Sequence, residues 1–174
     1  MDAKRKLFEI VWKQSRPAEE LFSKLEETKT PEVNTQLAPS EARQILFSLI
    51  TNSKYHVDMI IPTGDCINPL VTDGLTNYLN TTLKQGVKVR ILLPKDERSL
   101  EFCNSIKNSN LQIKQLDDIR AKKIMLMVDS LHSLVMEIKE LKQHTLKSLV
   151  KSAVYSTSNV ALMTFTALFE KMWI

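Results

Sequence analysis

Glycine and cysteine are scarce in this chain. Its three glycines, at 64, 74 and 86, are too far apart to build the usual glycine-rich phosphate cradle, which excludes nucleotide binding of that kind. The two cysteines, Cys66 and Cys103, belong to no CxxC or Cys/His spacing. Neither a disulfide framework nor a zinc site is therefore indicated, and a reducing cytosol is the expected setting. Long apolar runs are missing too. No window approaches the roughly 20 residues of a bilayer span, and the basic opening "MDAKRKLFEIVWKQSRP" lacks the apolar stretch of a secretory signal. Excess charge of one sign is small: 24 basic against 20 acidic residues leave +4 spread along the chain, so nucleic acid is not an expected partner.

What is present is the composition of an ordinary globular protein, 43% hydrophobic and 25% charged over 174 residues, enough for one domain plus an extension. Residues 2–28 read as helix, with Leu7, Phe8, Val11 and Trp12 on one face, Leu21, Phe22 and Leu25 on a second stripe, and a kink or restart at Pro17. Residues 28–40, with two prolines, read as a linker. Strand and helix then alternate. A helix follows Ser40 as its cap, a strand covers 55–61, a helix 69–85 stops at Gly86, and "VKVRILL" (87–93) is an inner strand. A helix over 97–109 leads to a strand at 111–116. Residues 123–139 carry two apolar runs around a polar break, the pattern of a hairpin. The lysine-rich stretch 139–151 is ambiguous between loop and fraying helix. "SAVYST" is the last strand, and Ser158 or Asn159 caps a final helix with Val160, Met163, Ala167, Leu168 and Met172 inward. Such alternation predicts an α/β domain of three layers, α/β/α, with a mixed sheet, preceded by an N-terminal helical extension.

This order, with a hairpin whose first strand ends in Val128-Asp129 and a last helix ending in Leu-Phe-Glu-x-x-Trp, resembles the phospholipase D-like fold. In active members of that family a His-x-Lys-x4-Asp motif lies on the hairpin: the histidine attacks phosphorus, the lysine neutralises the phosphate and the acid orients the pair. Asp129 matches the acid, but Lys122 occupies the histidine position and Ile124 the lysine position. The Gly-Ser-x-Asn that normally closes the hairpin is absent near Met136 to Ile138 as well. With the nucleophile and the phosphate cation replaced, no enzymatic activity, cofactor or metal is expected. A narrower match covers residues 37–174. "LITNSKYHVD" (49–58), "GVKVRILLPKD" (86–96), "SLEFC" (99–103) and "AVYSTSNVALMTFTALFEKMW" (153–173) resemble the degenerate phospholipase D-like input domain of soluble archaeal sensor histidine kinases.

That resemblance implies a non-catalytic, cytoplasmic sensory or interaction domain, covalently joined to kinase or regulator modules and signalling through its terminal helices. The alternative is the effector-binding domain of an archaeal sugar-responsive transcription regulator, which shares the degenerate fold. It also offers an account of "LFEIVW" (7–12), which repeats the phrase of 168–173. Residues 1–36 would be the tail of an upstream module and its connector, and 37–174 one whole domain. Chance recurrence of an amphipathic phrase is the competing account.

Candidate ligand residues are Thr63, Asp65, Cys66 and Asn68, in a loop at a strand's carboxyl end where open α/β sheets place ligands, although Pro62 and Gly64 alone would explain a structural turn there. Lys122, with Arg120 and Lys123, is either an anion-binding rim or a solvated cluster, and Asp129 either a catalytic relic or an acid bonded to its own turn. His56, His132 and His144 read as surface or strand residues, and Met125, Met127 and Met136 as core filling. Phe8, Trp12, Phe22 and Leu25 form an apolar helix face in need of cover, either from the α/β core or from a second copy of the chain in a homodimer. A small-molecule ligand of unknown identity is the other expected partner.

Overall fold

A computed structural model of the chain describes residues 32–139 and 145–174. The helix expected over 2–28, with Phe8, Trp12, Phe22 and Leu25, lies outside the described residues, as does His144. The sheet has seven strands: β1 (Asn34–Leu37), β2 (His56–Ile60), β3 (Lys88–Pro94), β4 (Leu111–Leu116), β5 (Lys123–Val128), β6 (His132–Ile138) and β7 (Val150–Ser156). Their spatial order is β1-β7-β6-β5-β2-β3-β4. β2, β3 and β4 are parallel to one another, and the rest pair antiparallel, so the sheet is mixed as expected.

Six helices complete the fold: α1 (Pro39–Thr51), α2 (Ile67–Thr72), α3 (Leu75–Lys84), α4 (Glu97–Ser105), α5 (Leu146–Leu149) and α6 (Asn159–Trp173). Alternation along each strand divides them. Val57, Met59, Val89, Ile91, Ile124, Leu126, Leu134 and Met136 face the main core, closed by Leu46 and Ile50 of α1, Leu70 of α2, Leu79 of α3, Phe102 of α4 and Leu146 of α5. Ile60, Leu92 and Met127 face the other way, onto Leu162, Phe165 and Phe169 of α6. Among the described residues the three layers are thus unequal, five helices on one side and α6 alone on the other.

Several expectations need correction. The segment read as linker contributes β1. Its side chains are largely exposed and its pairing is made chiefly by backbone, Asn34 to Leu37 against Ser156 to Ala153 of β7, with one side-chain bond from Ser156 Oγ to Asn34 Oδ1. Ser40 is not the cap of α1. Ala38 is, because Pro39 fills the first helical position, where a missing N–H costs nothing, and Glu41 reaches back to accept from the Ala38 amide at 2.8 Å. The helix expected over 69–85 is two. It breaks at Asp73 and Gly74, whose φ of +106° only glycine adopts freely. Asp73 holds the break by accepting from Arg43 Nε and from the Leu146 amide, both at 3.1 Å, so one carboxylate ties α1, the break and α5.

The hairpin is as expected. Asp129 and Ser130 take φ of +54° and +55°, and the Leu131 amide donates to the Val128 carbonyl at 3.0 Å, a type I′ turn matched to the strand twist. Gly86 ends α3 with φ of +86°, and Ser158 caps α6.

Candidate functional site

Asp58 stands in an inner strand, 1% exposed, and a carboxylate there needs a partner. The parallel register supplies it: Asp58 lies beside Arg90 across β2 and β3. Arg90 Nε and Nη2 donate to the two Asp58 oxygens at 2.8 Å each, and Nη2 also donates to Glu170 of α6 at 2.8 Å. The guanidinium lies 4.7 Å from the Phe169 ring centroid and 5.3 Å from that of Trp173. Lys114 of β4 donates to the Trp173 carbonyl at 2.7 Å. The phrase "LFEKMW" is therefore occupied at every position except Lys171. Leu168 and Met172 pack on the α6 core, Phe169 is buried in it, and Glu170 and Trp173 hold the arginine. The bidentate bond to Asp58 raises the affinity of Arg90 for its proton still further, so the clamp stays charged.

Beside the clamp opens a cavity of about 430 Å³ lined by His56, Lys88, Val89, Arg90, Ser109, Asn110 and Gln112. His56, Lys88, Arg90 and Gln112 project from the α6 side of the sheet, at alternate positions of their strands. No carboxylate among the described residues lines it. None of these residues was singled out for binding from the sequence. The signal available was charge inside strands: Lys88 and Arg90 alternate through "VKVRILL", and Asp58 interrupts "YHVDMII".

The residues proposed from sequence fall in two places. Thr63, Asp65, Cys66 and Asn68 follow the carboxyl end of β2, and Lys122 precedes β5 at that same end. Asp129 sits at the opposite end, where its amide bonds the His56 carbonyl, about 13 Å of strand away at about 3.3 Å per residue. Three of the loop's four candidate side chains already have partners: Thr63 Oγ1 meets Cys66 Sγ at 3.2 Å, and Asp65 pairs with Arg98 of α4. Burial pushes the Cys66 thiol up despite the hydrogen bonds from Thr63, the reverse of what a redox-sensing thiolate requires. Arg120, Lys122 and Lys123 are not drawn into the core, all three being exposed. Met127 and Met136 are buried in the core, and Met125 packs beside α6.

Gly64 is required by its neighbour, since a Cβ there would come within 2.2 Å of the Asp96 carboxylate, which caps α4 through the Ser99 amide. Gly64→Ala should lower stability by about 1–3 kcal/mol, the usual range for overpacking. Thermal unfolding measures it, and a loss under about 0.5 kcal/mol would show that the loop yields freely.

Asp129 does not bond within its own turn, as the sequence suggested. Its carboxylate accepts from the amides of Lys54 at 2.8 Å, Tyr55 at 2.8 Å and His56 at 2.9 Å, fastening the loop before β2 to the hairpin. Burial alone would raise its pKa, but the three backbone donors prevail and hold it below the ordinary carboxylate value. A carboxyl depressed in the folded state stabilises fully above its unfolded pKa, near 3.9, and loses that contribution as pH falls through the folded pKa. We expect Asp129→Asn to cost about 2 kcal/mol at pH 7, discounted for the partly exposed site. The deficit should shrink below about pH 4. Urea unfolding at the two pH values tests this, and a deficit independent of pH would assign it to geometry instead of charge.

Among the described residues no helix is long and apolar enough to cross a membrane, and no cluster of His, Cys, Asp or Glu is placed to hold a metal.

No protein-family model and no curated protein matches the chain. Solved structures do. NucT from Helicobacter pylori superposes with a TM-score of 0.65 at 12% identity, covering 82% of this chain and 96% of its own. Nuc from Salmonella typhimurium, a phospholipase D family member, gives 0.61 at 16% identity over 82% of this chain and 95% of its own. TrmBL2, an archaeal chromatin protein, gives 0.56 at 15% identity over 99% of this chain, which spans 65% of TrmBL2. At such identities the likeness establishes architecture and nothing finer. By its mixed seven-stranded sheet and these superpositions, the chain has the phospholipase D-like fold.

Proposed function

We propose that this is a non-catalytic sensory or interaction domain of a cytosolic archaeal signal-transduction histidine kinase, acting through its terminal helices. The observation that carries the reading is the clamp: the end of α6 is fixed to the sheet by Arg90, a residue that also lines a cavity. A change in the cavity thus has a direct route to the helix that ends at Trp173. The family's phosphate lysine corresponds to Ile124, wholly buried in the main core, and its histidine to exposed Lys122, which supports a role without phosphodiester chemistry. Val160 and Met163, expected inward from the sequence but exposed on the outer side of α6, supply apolar surface for a partner or a second copy.

Two measurements test the reading together. Bis(p-nitrophenyl) phosphate should not be hydrolysed above the buffer rate, and native mass spectrometry should show a retained small molecule or a dimer. Turnover by the folded chain, or a ligand-free monomer, would count against it. A second reading, the effector-binding domain of a transcription regulator, is favoured by the alignment with TrmBL2 running over 99% of this chain, against 82% for each of the two nucleases. A winged helix in the parent protein would select it, and an ATPase domain would select the kinase.

A further inference from the structure

We propose that the cavity beside the clamp takes a small oxyanion, and that the anion displaces Glu170 from Arg90, loosening the last turn of α6. The inference rests on the sensory reading and names the ligand class and the step that transmits it. The lining sets the charge. Lys88 and Arg90 are cationic, Ser109, Asn110 and Gln112 provide neutral donors, and no carboxylate lies among the lining residues. Lys88 has no acidic partner among the described residues. Arg90 still has donors to give: Nε and Nη2 are engaged, while Nη1 has no acceptor among the described residues.

Which carboxylate yields is decided by geometry. Asp58 is buried and bidentate, whereas Glu170 makes one bond with its side chain 44% exposed, so water can take its place at small cost. An anion reaching Arg90 from the cavity therefore leaves the Asp58 anchor intact and competes with Glu170, which it also repels. Drawing the guanidinium toward the cavity takes it off the faces of Phe169 and Trp173. Arg90, the tether through Glu170, lines the site, and the other tether, Lys114 with its ammonium on the Trp173 carbonyl, follows two residues after Gln112 of the lining on the same face of β4.

The chain has two tryptophans, Trp12 and Trp173, so a Trp12→Phe variant makes Trp173 the only indole reporter. This protein is titrated with sodium phosphate, with sodium citrate, and with sodium chloride at matched ionic strength, while emission and amide exchange over residues 168–174 are followed. The expected result is a saturable emission change with phosphate or citrate, faster exchange of the last turn, and roughly tenfold weaker binding in Lys88→Ala, for loss of one charge-assisted contact. Lys88 is exposed, so that variant should fold. Saturation by phosphate alone would identify a phosphoryl ligand, and by citrate alone a carboxylate. A response that merely follows ionic strength, one unchanged by Lys88→Ala, or saturation without faster exchange would overturn the proposal. None of these outcomes touches the sensory reading, which stands or falls on the hydrolysis assay and the native mass spectrum.

Discussion

Arg90→Ala should lower the unfolding free energy by about 3–5 kcal/mol, the usual cost of stranding one half of a buried ion pair. The loss is large because Asp58, 1% exposed, has no water to replace the guanidinium. Two lesser contributions vanish with it, the bond to Glu170 and the contacts with two aromatic rings. Urea unfolding gives the value, and a double-mutant cycle gives its origin. If the stranded charge dominates, Asp58→Leu combined with Arg90→Leu should recover most of the stability that Arg90→Leu alone removes, since a buried pair replaced by apolar side chains of similar volume is often neutral. A double variant as unstable as the sum of its parts would place the energy in the α6 contacts instead. A loss below about 1 kcal/mol for Arg90→Ala would mean that Asp58 rehydrates, and the clamp would then be no anchor for signalling.

The same pair shows what the sequence disclosed and what it withheld. Strands whose side chains carry the pattern were legible: "LQIKQL" is β4 from Leu111 to Leu116, and the Asp129-Ser130 turn stands where the polar break predicted. β1 was not legible, because three of its four side chains are exposed and its pairing with β7 rests chiefly on backbone bonds. The break at Gly74 was hidden by apolar residues on both sides of it, Leu70 and Val71 before and Leu75, Leu79 and Leu83 in helical register after, and the carboxylate that fixes it, Asp73, draws partners from 30 residues earlier and 73 later. The site was withheld for a related reason. Asp58 and Arg90 lie 32 residues apart, and only the register of two parallel strands makes them neighbours. Spacing within one segment marks loops such as 62–69, where Thr63 and Cys66 prove bonded to each other and Asp65 to Arg98 of α4. It does not report lateral pairs between strands, and both the clamp and the cavity are built from these.

Phe169→Ala should cost about 3–5 kcal/mol, comparable to the loss of Arg90 but by a different route. Phe169 is wholly buried, stacked between Phe165 at 5.8 Å and Trp173 at 5.4 Å between ring centroids, on a core layer supplied by a single helix. With no second helix among the described residues on that face to move in, the cavity left by the ring would stay open, which puts the cost at the upper end of the range. Trp173→Ala, half-buried and at the helix end, should cost about 1 kcal/mol, chiefly its contact with Arg90. The informative control is Phe8→Ala, the same substitution in the first copy of the phrase. Among the described residues Arg90 and Asp58 form the one paired cradle, and the second copy occupies it, so if the first copy is the tail of an upstream module Phe8→Ala should leave stability within about 0.5 kcal/mol of the parent. Thermal and urea unfolding of the three variants decide it. An equal loss from Phe8 and Phe169 would show that the first phrase has a packing partner of its own and is a working part of this domain, not the tail of an upstream module.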